Sequence, residues 1–179
     1  MKNSRTCGFR ILAVLFTAGI CFPAYAQTVT GDIHATITLE AACEVNEDAE
    51  TTDVDFGTLD FGTNSTLFSS ADAQVSGNGA GSISVQCTPG SDATLTVDNG
   101  LNDASAIVGG SRALVNGALV VPYDIYSDSS FSTVLNNGSS IPITGDGTVQ
   151  DVEIYGRAVG TAGLTAGTYT DTISLTLTF

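Results

Sequence analysis

Few side chains in this sequence are suited to chemistry. Its one histidine, His34, lies in a run where polar residues alternate with apolar ones. A nucleophile needs a base within hydrogen-bond reach, and no Ser-His-Asp or Cys-His set can be built around His34 on that polar face. We therefore expect His34 to be solvated, and we predict that the chain has no catalytic residue and is not an enzyme.

Acidic side chains are the second candidate for chemistry. The sequence carries 19 Asp and Glu residues against five Lys and Arg residues. The densest acidic stretch, from Glu44 to Asp55, lacks the ligand spacing of an EF-hand loop. Asp151 and Glu153 could act as an acid–base pair on a sugar, but nothing in the sequence marks a cleft around them. We predict a solvated acidic loop, no metal site and no cofactor.

The N-terminal residues are typical of a secretory signal peptide. Three basic residues precede an apolar run at residues 11–22, and Ala24-Tyr25-Ala26 follows that run. The run is shorter than the roughly 20 residues of a membrane-spanning helix, and the small-x-small tripeptide is typical of a cleavage site. We predict cleavage after Ala26, export of the chain and no membrane insertion.

Cleavage at this position would leave an unusually acidic chain. Arg112 and Arg157 would be the remaining basic side chains, against all 19 acidic residues. Such a surface repels nucleic acid and anionic lipid, because both bind proteins through Lys and Arg. We expect each arginine to pair with a carboxylate, which would fix either a strand or a contact between subunits. Residues 27–179 are enough for a single domain with one core.

Two of the four cysteines, Cys43 and Cys87, follow the predicted cleavage site. Disulfides form and persist in exported proteins, where each of these thiols would have only the other as a partner. In the chain-entropy model, a bridge that closes a loop of this length contributes about 4 kcal/mol as an upper figure. Two separate buried thiols are the alternative.

Residues beyond the signal peptide predict an all-β protein. Period-two alternation, Thr and Val richness and Gly or Asn turns recur, whereas helical periodicity is hard to find. The clearest alternation covers residues 28–40, where one face of a strand would be apolar and the other polar. The apolar row is Val29, Gly31, Ile33, Ala35, Ile37 and Leu39.

About six core strands with short connections are expected after this segment, as in an immunoglobulin-like sandwich. The strands are placed in the segments 55–62, 82–88, 93–97, 119–126, 149–159 and 169–179. Between them we predict a Ser- and Gly-rich loop that reaches Gly81, a turn at Asp98-Asn99-Gly100, an irregular stretch to Asn116 and a turn at residues 136–138. Pro122 would place its strand at a sheet edge or a bulge.

The last predicted strand has an uncovered apolar edge. No charged residue follows Asp171, and an edge of this kind is a liability that soluble proteins normally blunt or cover. The apolar row of this predicted acceptor edge is Ile173, Leu175, Leu177 and Phe179.

The N-terminal and C-terminal segments complement each other. When an extended segment adds to a sheet edge, main-chain hydrogen bonds supply affinity and alternate side chains fill pockets, as in donor-strand complementation. We predict that residues 27–40 of one subunit act as the donor strand for the acceptor edge of another subunit. The strand register and the identity of the neighbouring subunit are left open by the sequence.

The chain resembles the spore coat protein U domain family, whose members include the major subunits of Csu-type archaic chaperone–usher pili. The resemblance covers residues 27–179 and rests on segments that are weak singly and specific in this order. They are the N-terminal row leading to Cys43, Phe56-Gly57-Thr58-Leu59-Asp60-Phe61-Gly62, Ile83-Ser84-Val85-Gln86-Cys87, Tyr123-Asp124-Ile125-Tyr126-Ser127-Asp128, Tyr155-Gly156-Arg157, and residues 166–179.

The resemblance implies an incomplete immunoglobulin-like β-sandwich at residues 41–179 that lacks its last strand and contains a Cys43–Cys87 disulfide. It also implies a periplasmic chaperone that keeps the subunit soluble, and an outer-membrane usher where the next subunit's donor strand replaces the chaperone's strand. Identical or related pilin subunits would form a head-to-tail polymer that supports adhesion and biofilm formation.

Two alternatives remain open at this point. One is a secreted β-sandwich carbohydrate-binding module in which the N-terminal strand folds back onto its own domain. The other is a protective coat protein of spores or cysts, which would share the family and the logic of polymerisation.

Overall fold

The computed structural model describes residues 27–77 and 81–179, so the predicted signal peptide at residues 1–26 lies outside the described residues. The chain divides into a unit that ends at Thr38 and a body from Leu39 to Phe179. Residues 27–38 belong to no strand or helix, and their side chains are exposed. The body is built of strands with one short 3₁₀ turn, Asp103–Ser105, which confirms the predicted all-β class.

Eleven strands form the described body, and every pairing between them is antiparallel. They are β1 (Cys43–Val45), β2 (Thr58–Leu59), β3 (Ser70–Ser76), β4 (Ile83–Cys87), β5 (Ala93–Gly100), β6 (Arg112–Asn116), β7 (Leu119–Tyr126), β8 (Ser140–Ile143), β9 (Val149–Val152), β10 (Tyr155–Val159) and β11 (Ile173–Thr178). The number exceeds the six expected because several strands are too short or too poor in β-branched residues to be recognised in the sequence.

The largest sheet has five strands in the order β2-β3-β10-β7-β6. Its inner face carries Tyr123, Ile125 and Ala158, which are all at most 2% exposed. Its outer face carries Asp124 and Arg157, which pair across β7 and β10. This alternation follows from the period of two along a strand, which turns successive side chains to opposite faces.

Two smaller sheets complete the body, with the orders β1-β4-β9 and β11-β5-β8. In β4 the residues Ile83, Val85 and Cys87 are buried in strict alternation. In β5 the same pattern holds from Ala93 through Leu95 and Val97. The predicted strands at residues 82–88 and 93–97 are therefore confirmed as core strands.

The inward rows of the three sheets form one hydrophobic core. Cys43 of β1 and Cys87 of β4 lie directly opposite each other in the ladder, with their Cα atoms 4.1 Å apart, and their sulfur atoms are bonded. The predicted disulfide is confirmed, and the alternative of two separate thiols is excluded.

Two strands lie where the sequence predicted irregular chain. β3 occupies Ser70–Ser76 inside the expected Ser- and Gly-rich loop, and β6 occupies Arg112–Asn116 at the end of the expected irregular stretch. The inward positions of β3 include the small residue Ala71, so the local pattern is weak. Its five-residue ladder with β10 makes it a strand, because pairing with a neighbour outweighs intrinsic propensity.

Two predicted boundaries are wrong for a similar reason. Asp98-Asn99-Gly100 is not a turn, since β5 continues to Gly100, which pairs with Ile173 of β11. The predicted strand at residues 149–159 is two strands in different sheets, because the chain crosses from β9 beside β4 to β10 beside β3 and β7. Ile154 at the crossing is buried, and its carbonyl accepts a 2.8 Å hydrogen bond from the Val75 amide.

Pro122 does not mark a sheet edge or a bulge. It is fully buried in β7, which lies between β10 and β6, and it pairs with Ala113. The ladder between β7 and β10 extends to Tyr123 and no further, so position 122 needs no amide donor toward β10. A proline is therefore tolerated in an interior strand at this point.

Candidate assembly groove

β11 is the edge strand of its sheet, since among the described residues it pairs with β5 alone. Ile173, Leu175 and Leu177 are half-buried against the core, and the residues between them are exposed. Phe179, just beyond the strand, is 52% exposed. An edge strand presents backbone N–H and C=O groups that can pair with another extended segment.

β6 is an edge strand of the five-stranded sheet and lies near the segment that leads into β11. Val115 of β6 and Thr170 exchange two backbone hydrogen bonds of 3.0 and 3.2 Å. Within the described body, the bonds between β6 and residues 170–178 are confined to this bridge. Past the bridge, the two strands border a groove that opens onto the core.

The groove contains a smaller cavity of about 290 Å³, and a larger cavity of about 720 Å³, which no residue of β11 lines, shares Leu59, Phe61 and Leu114 with it as walls. A Cβ on Gly156 would lie 2.6 Å from Leu59 Cδ2, so glycine at this position of β10 makes room for Leu59. The remaining wall of the smaller cavity is mainly aliphatic and includes Val75, Ile125, Ile154, Ile173 and Leu175. A strand whose alternate side chains are apolar matches this lining.

A polar pair lies at the end of the groove where the Val115–Thr170 bridge joins the two edges. The Tyr123 hydroxyl donates a 2.7 Å hydrogen bond to Asp171 Oδ2, while the Tyr123 ring packs edge-on against Phe61 with their centroids 5.9 Å apart. Burial above all, and then the hydrogen bond to Asp171, raise the pKa of Tyr123 well above its usual value. The hydroxyl therefore stays protonated and can act as a donor.

Arg112 lies behind this pair on the inner face and is 1% exposed. Its Nη2 donates to the Asp98 carbonyl at 3.1 Å, and its Nη1 contacts Asp103 Oδ2 at 3.5 Å. The same Asp103 oxygen accepts a 2.7 Å hydrogen bond from the Gly100 amide. Among the described residues, Arg112 Nε and Asp103 Oδ1 are buried without a hydrogen-bond partner.

Arg157 lies on the outer face of the same sheet. Its Nε and Nη2 donate to the two oxygens of Asp72 at 2.6 and 2.8 Å, and its guanidinium lies 3.9 Å from the centre of the Phe131 ring. The hydrogen bond from Arg157 lowers the pKa of Asp72 below its usual value. The expectation that each arginine pairs with a carboxylate is confirmed, with Asp103 for Arg112 and Asp72 for Arg157.

The predicted donor segment is described by itself. Its large apolar side chains are almost fully exposed, from 82% for Leu39 to 97% for Val29, with Ile33 at 96% and Ile37 at 83%. Gly31 and Ala35 of the same row, and His34 of the polar row, are also exposed. The assignment of this row as donor, and of Ile173, Leu175, Leu177 and Phe179 as acceptor edge, stays a prediction at this point.

The acidic stretch after β1 uses its carboxylates locally. Asp48 Oδ1 accepts the Glu50 amide at 2.9 Å, and Asp55 Oδ1 accepts the Gly57 amide at 2.8 Å. Residues 27–77 and 81–179 contain no group of three or more His, Cys, Asp or Glu side chains placed to hold a metal ion. In the same residues, no helix has the length and apolar character needed to cross a membrane.

Several groove residues were missed at the sequence level. Leu59, Phe61 and Tyr123 fell inside recognised segments without a role, and Leu114 was assigned to irregular chain. One signal was available for Tyr123, because it alternates with Val121 and Ile125 in a predicted strand. A buried tyrosine hydroxyl needs a partner, and the last charged residue before the terminal strand, Asp171, was a candidate.

Comparisons with known proteins identify relatives of this chain. Protein U from Myxococcus xanthus is 32% identical over 163 residues, which cover 88% of this chain and 88% of the relative. A solved chaperone–tip adhesion subunit pre-assembly complex, CsuC–CsuE from the archaic chaperone–usher Csu pili of Acinetobacter baumannii, is 22% identical with a TM-score of 0.48. That match covers 79% of this chain and 40% of the solved chain. The model of the Spore Coat Protein U domain matches residues 29–176, and this chain belongs to that family.

Proposed function

We propose that this chain is a structural subunit of a secreted bacterial surface pilus that assembles by donor-strand complementation. One observation carries the proposal: an apolar groove runs beside β11, which among the described residues pairs with β5 alone, and the same chain has an exposed segment whose apolar residues alternate. The groove offers backbone groups and apolar walls, and residues 27–40 offer a backbone and an apolar row. A strand added to a sheet edge needs both.

Apolar burial and backbone hydrogen bonds would together stabilise the inserted donor strand. Burying Val29, Ile33, Ile37 and Leu39 would contribute about 1.5–3 kcal/mol for each side chain. Ordering the segment costs about 1–2 kcal/mol for each residue, which offsets much of this gain. The net affinity must therefore come from the cooperative hydrogen bonds along β11 and from the completed core.

The geometry of the exchange favours filaments. The donor and the groove are different surfaces of one chain, so each subunit can accept one strand and donate another. Contacts of this heterologous kind do not close on themselves and therefore grow into a linear polymer. We infer a non-enzymatic rod subunit whose fibres support adhesion and biofilm formation.

Two assembly partners belong to the proposal. A groove that exposes core side chains before assembly would aggregate, so a periplasmic chaperone that lends a strand is expected to cover it. An outer-membrane usher would then exchange the chaperone's strand for the donor strand of an identical or related pilin. Both steps require export, which the predicted signal peptide at residues 1–26 would supply.

Two neighbouring donor residues give a matched test. Ile37→Asp places a charge in the apolar row, whereas Thr36→Asp places the same charge in the polar row. We expect Ile37→Asp to abolish surface fibres in electron micrographs, as should deletion of residues 27–39 behind an intact signal peptide. Thr36→Asp should leave the fibres. Normal fibres from Ile37→Asp or from the deletion would refute the proposal.

A coat protein is the second candidate function, because the matched family is described as Spore Coat Protein U and a relative is Protein U of Myxococcus xanthus. In this candidate function the subunits would still polymerise, but the polymer would form a protective layer instead of a fibre. Immunogold labelling separates the two candidates. Label on thin filaments that extend from vegetative cells supports the pilus, and label confined to the coat of a resting cell supports the second candidate.

A further inference from the structure

We propose that Tyr123 and Asp171 form a tie between the five-stranded sheet and the segment that leads into β11, which holds the start of β11 in place and so determines how firmly the groove retains an inserted strand. This inference rests on the proposed function, since it assigns positioning residues to the same groove. Neither residue belongs to the predicted donor row or acceptor edge.

The tie joins a strand of the five-stranded sheet to the residues directly before β11. Tyr123 belongs to β7 in the five-stranded sheet, and Asp171 lies two residues before β11. Their 2.7 Å hydrogen bond crosses the interior at a point where Tyr123 is 2% exposed. Both residues also line the smaller cavity of the groove. The tie therefore fixes the start of β11, which borders the groove, relative to β7.

The second oxygen of Asp171 anchors the same segment to the corner after β5. Asp171 Oδ1 accepts hydrogen bonds of 3.0 Å from the backbone amide and from the side-chain amide of Asn102. The Thr172 carbonyl accepts a 2.8 Å bond from the Leu101 amide, and the Thr170 carbonyl accepts a 3.1 Å bond from Asn102 Nδ2. Residues 170–172 are thus fixed to residues 101–102 before the strand begins.

The ladder between β11 and β5 gives the reason why such an anchor is needed. Its register shifts between Ile173 and Leu175, so the first residues of β11 are irregularly paired. A bulge of this kind bends the strand and disrupts the local ladder. The hydrogen bonds of Asp171 act directly before the irregularity and compensate for it.

Gly100 leaves space for this arrangement. A Cβ at that position would lie 2.5 Å from Asp171 Oδ2 and would also collide with Asp103. The carboxylates of Asp103 and Asp171 therefore both pack against the backbone of β5. The backbone of β5 at Gly100 therefore borders Asp171 Oδ2 closely on one side.

A fixed edge matters for an added strand because strand pairing is sensitive to distance. Neighbouring strands lie about 4.8 Å apart, and N–H···O bonds weaken outside a narrow range of length and angle. If β11 could shift at its start, an inserted strand would lose hydrogen bonds at the closed end of the groove. It would then leave faster, even though its apolar contacts were unchanged.

The experiment measures retention of a synthetic peptide with the sequence of residues 27–40. The complete mature chain is unfolded in guanidinium without reductant and refolded with an excess of fluorescent peptide. Loss of label during a chase with unlabelled peptide then gives the dissociation rate. We expect Tyr123→Phe and Asp171→Asn each to raise this rate about tenfold or more, because the first removes the part-buried hydrogen bond and the second removes the charge of its acceptor.

Matched controls separate positioning from general stability. Tyr155→Phe and Asp72→Asn make the same chemical changes on the outer face of the sheet. There the Tyr155 hydroxyl donates to Glu153, and Asp72 pairs with Arg157. These two variants should change the dissociation rate by less than about twofold. Ile143→Val weakens the core at a buried residue of β8 that lines neither cavity. It should lower the unfolding midpoint without raising the dissociation rate of the labelled peptide.

Each outcome decides between the two proposals. If the wild-type chain takes up the peptide but Tyr123→Phe and Asp171→Asn release it at the wild-type rate, only the tie is refuted. The tie is also refuted if Ile143→Val, at an equal loss of unfolding midpoint, releases the peptide equally fast. If the wild-type chain retains no peptide and also forms no multimers through its own residues 27–40, the donor-strand function fails and the tie fails with it.

Discussion

Arg112 and Arg157 lie on opposite faces of the same sheet and differ in both burial and hydrogen-bond geometry. Arg112 is buried, contacts its carboxylate at 3.5 Å and keeps one nitrogen without a hydrogen-bond partner among the described residues. Arg157 is partly exposed, grips Asp72 with two short bonds and stacks on Phe131. The better geometry is therefore found at the site where water already screens the charge.

Burial, rather than hydrogen-bond geometry, determines how much each arginine contributes to the stability of the fold. A buried charge must be compensated, so its neighbours are constrained to stay in place. A pair at the surface contributes little, even when its geometry is good. The inner cluster of Arg112, Asp103, Tyr123 and Asp171 therefore fixes the groove, whereas the outer cluster stabilises an already formed sheet.

The largest effect should come from breaking the inner cluster. Arg112→Ala leaves the Asp103 carboxylate without its cation and is expected to lower the free energy of unfolding by about 3–5 kcal/mol. Arg157→Ala is the matched change on the outer face and should move the urea midpoint far less. Equal shifts of the two midpoints would contradict the contrast between the faces.

A smaller effect is expected at high pH from Tyr123. Its pKa is raised in the folded state, so the folded chain keeps this proton while the unfolded chain loses it above about pH 10. The stability that Tyr123 contributes is complete below pH 10 and declines as the pH rises toward the folded pKa. Urea midpoints of the wild type should fall more steeply between pH 10 and pH 11.5 than those of Tyr123→Phe. Parallel slopes for the two proteins would show that Tyr123 is not the group responsible.

The smallest effect is expected at low pH from the outer cluster. The folded pKa of Asp72 is lowered, so its contribution is complete above the unfolded value of about 4 and is lost as the pH falls through the folded pKa. Wild type should therefore be slightly more stable than Asp72→Asn at pH 7, and this difference should shrink as the pH falls below about 4. A difference that persists or grows at pH 2 would assign the acid sensitivity to other carboxylates.

The sequence predicted those parts of the fold in which side-chain alternation is strong. Ile83, Val85 and Cys87 alternate with polar residues, and the structure buries each of them. The pattern of β3 was too weak to show a strand that is defined by its partner β10. Asp98-Asn99-Gly100 resembled a turn, although β5 continues through it to Gly100, which pairs with Ile173 of β11. Pairing across a sheet is a long-range property that a local pattern does not contain.

The candidate site was predicted as two strands and not as a cavity. The apolar rows at residues 29–39 and 173–179 are visible in the sequence because each lies within one segment. The walls Leu59 and Phe61 come from one segment and Leu114 from another, and only folding brings them together. The Tyr123–Asp171 bond joins positions 48 residues apart, so residue type made Asp171 a candidate partner but spacing could not assign it.

The positions of the two arginines in the fold also determine how susceptible the protein is to trypsin-like proteases. Residues 27–179 contain no lysine, so trypsin-like proteases could cut only after Arg112 or Arg157. Arg112 is sealed in the core, and Arg157 lies within the central strand β10 with its guanidinium engaged by Asp72. Proteases prefer exposed loops, and here neither cleavable bond lies in one. An outer layer of such subunits would resist this class of enzyme without any covalent modification.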